Sequence, residues 1–131
     1  MKTILCIGNI LMGDDGIGII LGHLLKKKGI NCIICETDIS LINEVINNSE
    51  QLIIVDAVNF DLNPGDIVIF NNFEFYSSPI LQHDLVFYKN KKTTLFGIQV
   101  KDIDYRIGIS SEILKNLKVY LNYIIKLYNS N

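Results

Sequence analysis

The fold is decided by Gly8-Asn9-Ile10-Leu11-Met12-Gly13-Asp14-Asp15-Gly16-Ile17-Gly18, the stretch GNILMGDDGIG. The apolar run Thr3 to Ile7 feeds into it, and an amphipathic run, Ile17 to Leu25, leaves it. A strand, a glycine-rich loop and a helix follow from that order. In many α/β proteins such a loop holds phosphate on backbone N–H groups at the helix N-terminus. Here the same place carries Asp14 and Asp15, whose charges repel phosphate and favour a cation or a metal-bearing partner. The glycine spacing matches neither G-x-G-x-x-G nor the loop that ends in Gly-Lys-Ser/Thr. The stretch reads as a metal-facing loop. The competing reading is helix capping, where an Asp contributes roughly 0.5–2 kcal/mol. Two consecutive aspartates do not both need to be caps.

Outward from this loop the chain reads βαβαβ. Lys26-Lys27-Lys28-Gly29 ends the first helix with cations and a glycine stop. Ile30 to Glu36 is a second strand, and Thr37 or Asp38 caps a helix over Ile39 to Asn47. Gln51 to Val55 is a third strand that ends in Asp56. The runs ILCIG, CIIC and LIIVDAV are continuous rather than alternating, the pattern of strands buried on both faces of a parallel sheet. Asp61-Leu62-Asn63-Pro64-Gly65-Asp66 is then a turn, too short for a crossover helix, so the strand Ile67 to Phe70 pairs antiparallel at an edge. Pro79 to Tyr88 is expected as a short helix and Thr93 to Val100 as a further strand. Ser110-Ser111-Glu112 opens a C-terminal helix over Ile113 to Leu127. The expected fold is α/β, a single three-layer domain over residues 1–131. Its sheet is mostly parallel and twisted, of about five strands, with one antiparallel edge strand and helices on both faces.

Composition narrows the function classes. The chain has 131 residues, 49% of them hydrophobic, and a formal net charge of -2. No basic stripe is present, which argues against nucleic acid as a partner. No apolar run approaches the roughly 20 residues of a spanning helix, and the start lacks a signal-peptide cleavage site, so no membrane association and a cytoplasmic location are expected. The three cysteines, Cys6, Cys32 and Cys35, do not suggest a disulfide framework. Cys32 and Cys35 form a C-x-x-C on a strand, where residues three apart point to opposite faces. They are read as core residues.

Chemistry is expected at the carboxyl ends of the strands, where ligands of open α/β sheets bind. In a 2-1-3 strand order, Asp14 or Asp15 and Asp56 converge on one crevice, and His83 can reach the same edge. Two carboxylates and an imidazole suit a first-row transition metal such as nickel or zinc. His23 is expected to be exposed, Asp102 and Asp104 to be solvated turn residues, and Tyr105, Tyr120 and Tyr123 to be packing residues. No G-x-S-x-G, H-E-x-x-H or suggestive Cys/His pair supplies a nucleophile.

Taken together, GNILMGDDGIG, VDAVNFDLNPGDIVIF, the Ser-Ser/His segment, FGIQV and GISSEILKNL resemble the hydrogenase maturation endopeptidases over nearly the whole chain. The resemblance implies a protease that removes the C-terminal extension of a [NiFe]-hydrogenase large-subunit precursor after nickel insertion. It also implies that the precursor's nickel is the recognition element, with no resident cofactor. The residues implied to meet that nickel and to act in catalysis are Asp15, Asp56 and His83, supported by the loop residues Gly8, Asn9, Asp14 and Gly16. The sequence departs from the family pattern at Glu36-Thr37-Asp38, where the family commonly carries an Asp-Gly-Gly-Thr-like segment. It departs again at Pro79, which separates Ser77-Ser78 from His83, and at Val100, where the family tends to have Pro. The alternative is a receiver-like phosphoacceptor domain binding Mg²⁺ through Asp14, Asp15 and Asp56. Against it stand the residues between the first strand and the acidic pair, and the turn at Asn63-Pro64-Gly65.

Overall fold

The structure is a computed structural model and describes residues 2–71, 92–101 and 103–130. The expected helix over Pro79 to Tyr88, His83 and Asp102 lie outside the described residues.

β1 (Lys2–Ile7) leads through a 3-10 turn, Gly13–Gly16, into α1 (Ile17–Lys27). β2 (Ile33–Glu36), α2 (Ile39–Asn48) and β3 (Gln51–Val58) follow. Then come β4 (Ile67–Phe70), β5 (Lys92–Gln99), α3 (Ser111–Leu114) and α4 (Leu117–Asn129). The sheet order is β2-β1-β3-β5-β4. β1 pairs in parallel with β2 and β3, β3 pairs in parallel with β5, and only β4 runs antiparallel. The expected mixed sheet and its antiparallel edge strand are therefore present. The edge reversal follows from the Asp61–Asp66 turn, where the Gly65 N–H donates to the Gln99 carbonyl at 2.9 Å and Tyr120 Oη donates to the Gly65 carbonyl at 2.6 Å.

Strand alternation divides the core into two layers. On one face Ile4, Cys6, Ile53, Val55, Ala57, Phe96 and Ile98 pack with Ile17, Leu21 and Leu25 of α1 and with Tyr120, Leu121 and Ile124 of α4. On the other, Leu5, Ile7, Cys35, Leu52, Ile54, Val58 and Leu95 pack with Ile42, Val45 and Ile46 of α2. Cys32 and Cys35 fall in opposite layers, as the strand reading requires.

Several boundaries differ from expectation. β2 begins at Ile33 rather than Ile30, because Gly29 takes a positive φ of 78° and the Ile30 N–H turns back to the Leu25 carbonyl. The C-terminal helix is split at Lys115 and Asn116, giving α3 and α4 instead of one run. β3 continues through Asp56 to Val58, because β5 pairs with it along its whole length. Asp56 is thus a residue within the strand rather than its end. Asp38 is the cap of α2, its Oδ1 accepting from the Leu41 N–H at 3.1 Å. Of the three tyrosines read as packing residues, Tyr120 is buried and Tyr123 is partly covered beside Phe96, with ring centroids 6.4 Å apart. Tyr105 is 87% exposed and packs into no core. His23 and Asp104 are exposed.

Candidate active site at the carboxyl edge of the sheet

The glycine loop lies directly over the ends of β1 and β3. A Cβ on Gly18 would stand 2.1 Å from the Ile7 carbonyl oxygen and 2.9 Å from that of Val55. Only glycine permits this approach. A Cβ on Gly8 would meet the Asp15 carbonyl oxygen at 2.4 Å, and one on Gly16 would meet the Ile10 Cα at 2.9 Å. The Asn9 N–H donates to that same Asp15 carbonyl at 3.2 Å, and the Asn9 side chain accepts from the Leu11 N–H at 3.0 Å. Gly8, Asn9 and Gly16 therefore shape the loop through backbone contacts.

Neither aspartate is a helix cap. Gly16 stands at the N-cap of α1, and no side chain caps that helix. Asp14 instead serves a distant segment and is fully buried. Its Oδ1 accepts from the Ser110 N–H at 2.7 Å, and its Oδ2 accepts from the Lys101 N–H at 2.8 Å and from Ser110 Oγ at 2.9 Å. Asp14 is thus a brace between the loop and the start of α3. Ser110, read from sequence only as a helix opener, is its partner. Nothing in the local pattern around Ser110 signals a bond to a residue 96 positions earlier.

Asp15 is 4% exposed and sits in the 3-10 turn, which packs against β3. Asp56 is fully buried on β3, opposite Gly97 of β5, and its Oδ1 accepts from the Ala57 N–H at 2.8 Å. The Gly18 approach to the Val55 carbonyl sets the loop against the peptide bond that precedes Asp56. Asp15, in the turn after β1, and Asp56, on the neighbouring strand β3, therefore lie toward the same end of the sheet. Among the described residues, no group of three His, Cys, Asp or Glu is placed to hold a metal ion, and His83 lies outside them. What the described part offers is a pair of hard oxygen donors in a mostly buried setting.

Glu112 pairs with Lys101 at 2.6 Å, and that ammonium holds its carboxyl at about 2. Burial pushes the Cys35 thiol up to about 11, whereas a hydrogen bond from Cys6 brings Cys32 down to about 7. Glu112 is therefore an ion-pair partner in the first turn of α3.

Fold and site together define a doubly wound α/β protein with two buried carboxylates, Asp15 and Asp56, toward the carboxyl end of its central strands, the end where such sheets bind their ligands. The family model described as "HycI: Hydrogenase maturation protease" matches residues 36–127. The chain belongs to the hydrogenase maturation protease family. It is 40% identical over 65 residues to protein FrxA of Pyrococcus furiosus, covering 50% of this chain and 47% of that one. It is 37% identical over 73 residues to the hydrogenase 3 maturation protease of Escherichia coli, covering 51% and 46%. The match thus spans about half the length of these curated relatives. The solved [NiFe] hydrogenase maturation protease HybD from Thermococcus kodakarensis superposes with a TM-score of 0.76 at 27% identity, covering 96% of this chain and 97% of that one. The receiver-like alternative gains nothing from these comparisons, and the helix-free passage from β3 to antiparallel β4 does not fit it.

Proposed function

We propose that this chain is a hydrolase, an endopeptidase that removes the C-terminal extension of a [NiFe]-hydrogenase large-subunit precursor after nickel insertion. The observation that carries the reading is the placement of two buried carboxylates, Asp15 and Asp56, at one end of the sheet in a member of this protease family. In this reading Asp15, Asp56 and His83 meet the nickel carried by the precursor, and the protein needs no cofactor of its own. Nickel accepts carboxylate and imidazole donors, so the set suits the ion. The nickel is substrate cargo, and its contact with the two aspartates registers the scissile segment against the crevice. No hydroxyl or thiol nucleophile stands out among these residues, so a water activated by a carboxylate is the simplest attacking group. The partner is the precursor protein, without nucleic acid or membrane. Among the described residues no helix is long and apolar enough to cross a membrane, and in this reading the chain acts in the cytoplasm.

The test is mass spectrometry of large-subunit precursors before and after incubation, with and without nickel. The expected outcome is loss of the C-terminal extension only from nickel-loaded precursor. Asp15→Ala and Asp56→Ala are each expected to abolish that loss while the variants stay folded by circular dichroism. Cleavage that persists in both variants would remove these residues from the site.

A further inference from the structure

The three cysteines are all free and buried, but they are not equivalent. Cys6 on β1 and Cys32, in the connection just before β2, belong to the core layer under α1, whereas Cys35 lies in the opposite layer. β1 and β2 are parallel neighbours in which Cys6 stands opposite Ile34. Cys32, two residues before Ile34, faces the same way. Both cysteines lie beneath Gly22 of α1. A Cβ on Gly22 would stand 3.2 Å from the Cys6 Cβ, and the Gly22 carbonyl accepts from Cys32 Sγ at 3.2 Å. The Cys6 thiol in turn donates to Cys32. Two sulfurs from neighbouring segments are therefore in contact.

The pair is reached from one side. Cys6 is fully buried, but Cys32 is 9% exposed and lines a pocket of about 220 Å³ with Lys2, Asn31 and Tyr128. The hydrogen bond from Cys6 that brings Cys32 down to about 7 leaves a share of it as thiolate, the nucleophilic form, near neutral pH. The same bond, together with burial, pushes the Cys6 thiol well up. A bridge between the two requires Cα atoms within about 7 Å. Cys32 lies ahead of the ladder that begins at Ile33, so closing on Cys6 moves a connection rather than a strand.

We propose that Cys32 is a thiol–disulfide exchange site for the disulfide of a low-molecular-weight thiol, with Cys6 as its resolving partner. The Cys32 thiolate attacks one sulfur of the small disulfide. Its S–S bond breaks, one half leaves as a thiolate that takes up a proton, and the other half remains on Cys32 as a mixed disulfide. Cys6 then loses its proton and attacks the Cys32 sulfur. A Cys6–Cys32 bond forms, and the second half leaves and takes that proton. One small disulfide is reduced to two thiols while two protein thiols are oxidised.

The experiment treats the folded chain with dithiobis(nitrobenzoate), alkylates the remaining thiols in denaturant, and maps the products by mass spectrometry. The wild-type chain is expected to lose the mass of two hydrogens, with Cys6 and Cys32 joined and Cys35 alkylated. Cys32 is expected to react at least about tenfold faster than Cys35. Cys6→Ala is expected to stop at the mixed disulfide on Cys32, and Cys35→Ala to behave as the wild type. The wild-type map decides the matter even where Cys6→Ala does not fold. An adduct that stays on Cys32, a bridge to Cys35, reaction of Cys35 as fast as Cys32, or no reaction in the folded chain overturns the exchange site.

Discussion

Glu36 closes β2 with a φ of 47°, in the left-handed region that non-glycine residues rarely occupy. This is where the sequence departs from the Asp-Gly-Gly-Thr-like segment of the family it resembles, so a side chain sits where glycine would be at ease. Left-handed backbone costs an L-residue roughly 1–2 kcal/mol, and glycine forfeits roughly 0.5–1 kcal/mol through its freer unfolded state. The Glu36 side chain is exposed, and the contact to the glycine loop runs through its backbone carbonyl, which accepts from the Gly8 N–H. Glu36→Gly is therefore expected to stabilise the chain by about 0.5–1 kcal/mol. A urea unfolding midpoint checks this, and a lower midpoint in the variant would show that the strain is offset elsewhere. At this scale the sequence was a partial guide. It showed that Glu36 was unusual but not that its backbone was, because a dihedral angle leaves no mark in one residue type.

Between elements, the determining contact is Asp14. It joins the 3-10 turn before α1 to the residues that start α3, and its bonds reach donors on Lys101 and Ser110. Asp14→Ala would leave the Ser110 N–H and Oγ, in a residue only 8% exposed, without that acceptor. Each buried donor so abandoned costs about 1–3 kcal/mol, so the variant is expected to lose roughly 2–5 kcal/mol of stability. Asp14→Asn keeps a carbonyl acceptor and is expected to lose less. Chemical denaturation of the pair decides it: equal, small losses would mean that the brace contributes little. The element order itself was legible in sequence, because buried parallel strands and an amphipathic helix write themselves as apolar runs of distinct period. The antiparallel β4 was legible too, since a turn as short as Asp61 to Asp66 leaves no room for a crossover. The brace was not, because two polar residues far apart along the chain carry no shared pattern. The same holds for the extension of β3 past Asp56, which depends on pairing with β5 rather than on its own residues.

For the whole molecule, the question is where the metal resides. Asp15 lies in the turn after β1 and Asp56 on β3, the strand beside it, and the doubly wound order alone led to the expectation that the two meet at one edge. The third expected group, His83, was the one the sequence located least firmly, because Pro79 interrupts the segment that would align it. A metal bound tightly by the free protein would need a closed set of donors with supporting hydrogen bonds, and such an ion would add to stability. Asp15 and Asp56 supply only oxygen donors, and a site completed by ligands from the incoming precursor binds its ion chiefly in the complex. Two measurements follow. Exhaustive treatment of the free chain with a chelator, followed by its removal, is expected to leave both the thermal midpoint and the processing of nickel-loaded precursor unchanged. Stripping nickel from the precursor instead is expected to stop processing. If chelation of the free chain alone lowers its midpoint and halts cleavage until nickel or zinc is restored, the ion belongs to the protease, and Asp15 and Asp56 act on the scissile bond through a bound metal rather than by sensing one.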